Sequence, residues 1–231
     1  ASVGYAPDFF RAHLNLGVVY YSLEDMGACI AALHRALQIE PRDEKTLSIL
    51  AASYRRAGAF PEAIATFNRL IAMHPSNEDS YIALAELYRE LGDPHLSIEW
   101  LQRFPEDGKN RAYVNTLLAD IYEKIDQPER ALFYLQQSWE QDHSNKWVFY
   151  RIVTLHEKMG NALVALEQVK RGLESMKDFE QLALLGGNLA FTLEKYDDAE
   201  RLYTIARGQG SAGAVVGLEN IRIMRTNQSA N

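Results

Sequence analysis

Residues 44–77 read EKTLSILAASYRRAGAFPEAIATFNRLIAMHPSN. Leu47, Leu50, Ala51 and Tyr54 recur at helical spacing, which predicts the apolar face of a first helix. Gly58 follows its last turn, where a residue able to turn left-handed closes a helix. Pro61 then opens a second helix at a position where its missing N–H costs nothing. Ala63, Phe67, Leu70 and Ile71 form that helix's apolar face, Pro75 ends it, and Asn77 can cap the next one. The stretch is therefore helix, turn, helix, turn.

The same unit recurs along the chain. Tyr20, Tyr54, Tyr88 and Tyr122 stand 34 residues apart, and the count continues to His156 and Ala190. Cys29, Ala63, Ser97, Ala131, Ala165 and Ala199 keep the same step and are all small, while Leu16, Leu50, Leu84 and Leu118 make a third series. A fixed period of this length means one supersecondary unit, copied and stacked. One unit alone leaves half its apolar surface wet, and stacked neighbours cover it. The small series lets paired helices approach, and the large rings fill the space beside it.

The pattern resembles the tetratricopeptide repeat family. Its units carry Leu at position 7, a small residue at 8, Tyr at 11, Ala at 20, a large residue at 24, Ala at 27 and Pro at 32. Counted from Phe10, this chain places Leu16, Gly17, Tyr20, Cys29, Leu33, Ala36 and Pro41 there. The resemblance implies an all-α, right-handed superhelical solenoid of tandem helix-turn-helix repeats. Six units are expected, at 10–43, 44–77, 78–111, 112–145, 146–179 and 180–213, then a terminal or capping helix at 214–226 and a frayed tail at 227–231. Residues 1–9 read as the tail of a preceding repeat, because Val3, Tyr5 and Pro7 match Leu37, Ile39 and Pro41. The third unit should lose the end of its second helix at Phe104 and Pro105, and Gly186 and Gly187 point to close helix approach or a kink in the sixth.

Bulk composition narrows the function classes. The 231 residues are 47% hydrophobic and 24% charged, with a net charge of −7 spread evenly and no basic stripe for a phosphate backbone, so no nucleic-acid partner is expected. No apolar run of about 18 residues is present, so no membrane span is expected. No basic segment leading into an apolar run opens the sequence, so a cytoplasmic location is favoured, or a periplasmic one if an upstream signal was removed. Cys29 stands alone in the small-residue series and reads as a buried thiol. The six histidines meet no metal-ligand spacing, and Gly208, Gly210 and Gly213 follow a helix rather than a strand. The reading is no enzyme, with no catalytic residues, cofactor or metal.

In the family the resemblance names, positions 2, 5, 9, 12 and 13 of each first helix face a concave groove. Carried over, Lys45, Arg55, Arg56 and Arg89 form a basic patch for an acidic side chain or carboxylate. Tyr113, Trp147, Tyr150 and Phe191 form an aromatic stretch, and Asn188 shares that surface. Two bland readings stand beside these: the arginines could pair with Glu86, Glu90 and Asp120, and Trp147 and Tyr150 could serve inter-repeat packing. The chaperone-binding carboxylate clamp of the family is not expected, since Asp79 and Ala83 replace its third-unit Lys and Arg. The expected role is a scaffold or adaptor that binds a protein or peptide segment, with self-association as a further option. The alternatives are a docking module of a larger enzyme such as a glycosyltransferase, or a bacterial envelope component for assembly, secretion or polysaccharide export.

Overall fold

The computed structural model describes the backbone of residues 6–229 and the side chains of residues 9–226. Among the described residues there are thirteen α-helices and no strand. The chain divides into two compact units, 1–114 and 115–231. The first holds α1 (Ala6–Ser22), α2 (Met26–Ile39), α3 (Glu44–Arg56), α4 (Phe60–Met73), α5 (Glu78–Glu90) and α6 (Pro94–Gln102). α7 (Arg111–Lys124) begins in the first and runs into the second. The second continues with α8 (Pro128–Gln141), α9 (Lys146–Lys158), α10 (Ala162–Ser175), α11 (Glu180–Thr192), α12 (Tyr196–Gly208) and α13 (Ala212–Ser229).

Each hairpin turn uses one device. Glu24, Gly58, Gly92, Asp126, Gly160 and Glu194 all have φ between 56° and 79°, and they too stand 34 residues apart. The next residue then donates its N–H back to the carbonyl of the tyrosine-ladder position: Asp25 to Tyr20, Ala59 to Tyr54, Asp93 to Tyr88, Gln127 to Tyr122, Asn161 to His156 and Lys195 to Ala190, all at 2.8–3.0 Å. This is the long closing bond of a helix that ends left-handed. Second helices then start on Asp25 and Asp93, whose carboxylates accept from Ala28 and Leu96 N–H, while Asp43 and Asn77 cap the first helices α3 and α5.

The small series is buried throughout, with every member from Cys29 to Ala199 no more than 1% exposed. Two of its polar members are satisfied: Ser97 Oγ donates to the Ala85 carbonyl at 2.7 Å, and Cys29 Sγ lies 3.1 Å from Ser53 Oγ. The leucine series holds at Leu50, Leu84 and Leu118, each no more than 2% exposed, but Leu16 is 45% exposed. The difference is positional, since among the described residues no helix lies before α1 to cover that face.

Four other departures are local. α6 spans nine residues against 13 or 14 in the other second helices, and Phe104 turns in to pack edge-on against Tyr81. Inside α11, a methyl at Gly186 or Gly187 would fall about 2.5 Å from Val169 or Tyr203, so both glycines mark close approach rather than a kink. α1 spans Ala6–Ser22, with Pro7 in its first turn; Val3 and Tyr5, on which the reading of a preceding repeat's tail also rests, lie outside the described residues. The last helix begins at Ala212 and runs through Ser229, past the predicted tail start at 227; 230 and 231 lie outside the described residues. No helix among the described residues is long and apolar enough to cross a membrane.

Candidate functional site

The first helices carry the predicted binding positions, and the two units differ in what they present. In the first, a groove of about 510 Å³ opens over α3 and α5, lined by Tyr21, Ser48, Arg55, Arg56 and Asp79 among others. Arg55 and Arg56 therefore share a surface. Lys45 and Arg89 are exposed but do not line this groove.

The groove's two guanidinium groups are already engaged. Arg55 donates to Glu86 at 3.0 Å and makes a second, two-pronged contact with Glu90. The hydrogen bond from Arg55 holds the Glu90 carboxyl below its ordinary range. Arg56 reaches Glu24 at 2.6 Å and lies over the Tyr21 ring at 4.9 Å. The two groove arginines of the predicted basic patch are thus balanced by three carboxylates, and an acid binding to them would have to displace one. Asp120 takes no part in this, because it pairs with Arg151 at 2.6 Å, as Glu123 does at 2.5 Å.

In the second unit, Trp147 is 56% exposed on α9 and meets Tyr150 edge-on at 5.7 Å between ring centroids. Phe179 lies beneath both, at 5.2 Å from Trp147 and 5.9 Å from Tyr150, and is itself 5% exposed. The ring on the surface is therefore held by a buried one. Phe191 stands apart from this cluster and packs on Tyr196 at 5.7 Å. Asn188 is exposed but accepts a 2.9 Å hydrogen bond from the Tyr203 hydroxyl. Tyr113, in the first unit, is 51% exposed.

Phe179 escaped the register-based list because it sits in a turn. It stands at the last position of its repeat, where Asp43 and Asn77 cap helices in earlier units. An aromatic at a capping position is a readable signal once that position's role is known. Among the described residues no group of three or more His, Cys, Asp or Glu side chains could hold a metal ion.

Two family models described as tetratricopeptide repeat match the chain, one over residues 10–43 and the other over residues 54–121. Over those two stretches the chain matches the tetratricopeptide repeat family. Its repeats have solved counterparts of the same fold. The MamA structure is 18% identical with a TM-score of 0.59, over 74% of this chain and 93% of that one. PilF of Pseudomonas aeruginosa is 17% identical with a TM-score of 0.58, over 95% and 99%. YrrB, described as a tetratricopeptide repeat protein with an unusual peptide-binding site, is 16% identical with a TM-score of 0.58, over 81% and 98%. At these identities the likeness is one of fold. A comparison with curated protein sequences finds no match.

Proposed function

We propose that this repeat protein is a non-catalytic scaffold that grips a peptide or helical segment of a partner protein on its first-helix surface. The observation that carries the reading is the exposed Trp147 ring, held at a fixed angle by Tyr150 and the buried Phe179. A large ring kept rigid and half in water loses little entropy when a partner side chain covers it, which is why such residues anchor interfaces. Covering it with an aliphatic or aromatic side chain contributes about 1.5–3 kcal/mol. The peptide-binding site ascribed to YrrB is consistent with this use of the fold.

The pairing of Arg55 and Arg56 changes the part played by charge. Those arginines act on a ligand only by exchanging Glu86, Glu90 or Glu24 for it, so they favour selectivity over affinity. Lys45 and Arg89 form no ion pair among the described residues and stay available to an acidic flank.

The test is capture of partners by the wild-type chain and by the Trp147→Ala, Tyr150→Ala double variant, followed by titration of a peptide from an enriched partner. The double variant should bind at least about tenfold more weakly, the weight of roughly 1.4 kcal/mol. Equal affinity for both chains removes the aromatic cluster from the site.

A further inference from the structure

A second recessed surface lies in the 115–231 unit, away from the first-helix positions. It opens between α8 and α10 with α9 as its floor, and encloses about 410 Å³. That is within the size range of clefts that take one large side chain or a small ligand.

The repeat position at which Gly172 stands holds Ala36, Leu70, Phe104, Ser138 and Ala206 in the other copies, all no more than 3% exposed. At Gly172 there is no side chain, and the Phe149 ring lies on the helix backbone instead: an added Cβ would fall 2.5 Å from it. Trp139 flanks Phe149 at 5.1 Å between ring centroids, with the imidazole of His143 4.9 Å beyond. The cleft is therefore walled by aromatic faces.

Two polar groups in it lack partners. Gln168 Oε1 is shut off from solvent and receives no hydrogen bond. An orphaned buried acceptor is uncommon in folded proteins and calls for a donor. Arg171 lines the cleft and forms no ion pair among the described residues, whereas Arg55, Arg56, Arg103, Arg151 and Arg225 each do. No carboxylate lines the cleft, so its charge is unbalanced and complements an anion.

We infer that this cleft is a second docking site, and that it takes an aromatic side chain of a partner protein bearing a ring N–H or O–H, with a carboxylate next to it. The ring stacks against Trp139 and Phe149, its polar hydrogen is donated to Gln168 Oε1, and the carboxylate meets Arg171. An indole fits all three demands, since it is flat, apolar and a donor only. Apart from Phe149 and Ile152 on α9, the cleft is lined by residues of α8, α10 and the turns that follow them, and none of its lining residues belongs to the Trp147, Tyr150 and Phe179 cluster.

The test uses N-acetyltryptophan and its neutral amide as paired probes, followed by amide NMR of the full chain. Both should give saturable shifts at the Gly172 backbone amide and the Gln168 side-chain amide. The carboxylate form should bind about fivefold to tenfold more tightly, the weight of one charge-assisted bond at a partly wet rim. Arg171→Ala should erase that preference, and Gln168→Leu should weaken both probes alike. Gly172→Ala, which drives Phe149 up into the cleft, should abolish binding. Arg171→Ala is a rim substitution and keeps the test valid if Gly172→Ala fails to fold. Trp147→Ala should leave all of this unchanged, so failure here and failure of the first-helix site are told apart. Absence of saturable shifts at Gly172 up to about 10 mM probe overturns the inference, as does an unchanged preference in Arg171→Ala.

Discussion

Replacing Gly187 by alanine should destabilise the protein, although the usual rule for a helix interior predicts the opposite. Alanine is better than glycine there by about 0.8–1 kcal/mol. Gly187, however, faces the ring of Tyr203, and a Cβ would fall 2.4 Å from Cδ1 and 2.5 Å from Cε1. The ring cannot retreat, because a Cβ at Gly217 would fall 2.5 Å from Cζ, which shows α13 pressing from the other side. Tyr203 is 3% exposed, and its hydroxyl is committed to Asn188 Oδ1 at 2.9 Å. Overpacking of this kind costs about 2–3 kcal/mol. Set against the propensity gain, the net loss is about 1–2 kcal/mol. Urea denaturation followed by far-UV circular dichroism reads it as a lower midpoint at unchanged slope. In a Tyr203→Leu background the obstacle is gone, and Gly187→Ala should instead stabilise by about 1 kcal/mol. The coupling between the two sites is then about 2–3 kcal/mol. If Gly187→Ala stabilises the wild type, or if both backgrounds respond alike, the ring contact is not why the glycine is there.

Two further outcomes follow from the repeat register. Glu194 holds the left-handed turn position at φ 58°, which glycine fills at Gly58, Gly92 and Gly160. Glu194→Gly should therefore raise stability by about 0.5 kcal/mol, while Gly160→Ala should lower it by about 1 kcal/mol, both read from denaturation midpoints. His156 stands at the ladder position with both ring nitrogens buried and unpartnered, and desolvation holds its pKa below 6.5. The unfolded chain takes that proton more readily, so its contribution is full above about pH 6.5 and is lost as pH falls below that value. His156→Tyr should flatten the stability profile between about pH 7 and pH 5; an unchanged profile would refute the assignment.

How much of this was legible in the sequence depends on what each position does. The 34-residue period was readable because each repeat imposes the same steric demand on a single residue. Position Ala63 must be small in every copy, and all six copies are buried. The turn was readable at Gly58 but hidden at Glu24, Asp126 and Glu194, because only the backbone shows that they adopt the same left-handed conformation. The exposure of Leu16 is hidden for the converse reason: burial at its position depends on a neighbour, and repeat register alone does not supply one.

Charge was the least legible property. The register identifies Arg55, Arg56 and Arg89 as groove-facing, yet whether a guanidinium is free depends on carboxylates 31 to 35 residues away in another helix or turn. Glu86 and Glu90 were visible as possible partners, but Glu24 was not, because it lies in a turn. Asp120, the third possible partner, pairs with Arg151 instead. Aromatic residues divide in the same way. Trp147 and Tyr150 share one helix and meet as the register predicts, while Phe191, placed with them by position number, belongs to another contact with Tyr196. Phe179 and Gly172 are the instructive pair. Phe179 stands where Asp43 and Asn77 cap helices, and Gly172 stands where every other copy carries a side chain. Neither residue type signals binding by itself. In a repeat protein the copies show what packing alone requires, so a copy that breaks the requirement marks where the surface has been released from packing. Here those breaks fall under the exposed Trp147 ring and in the α10 wall of the cleft beside Arg171.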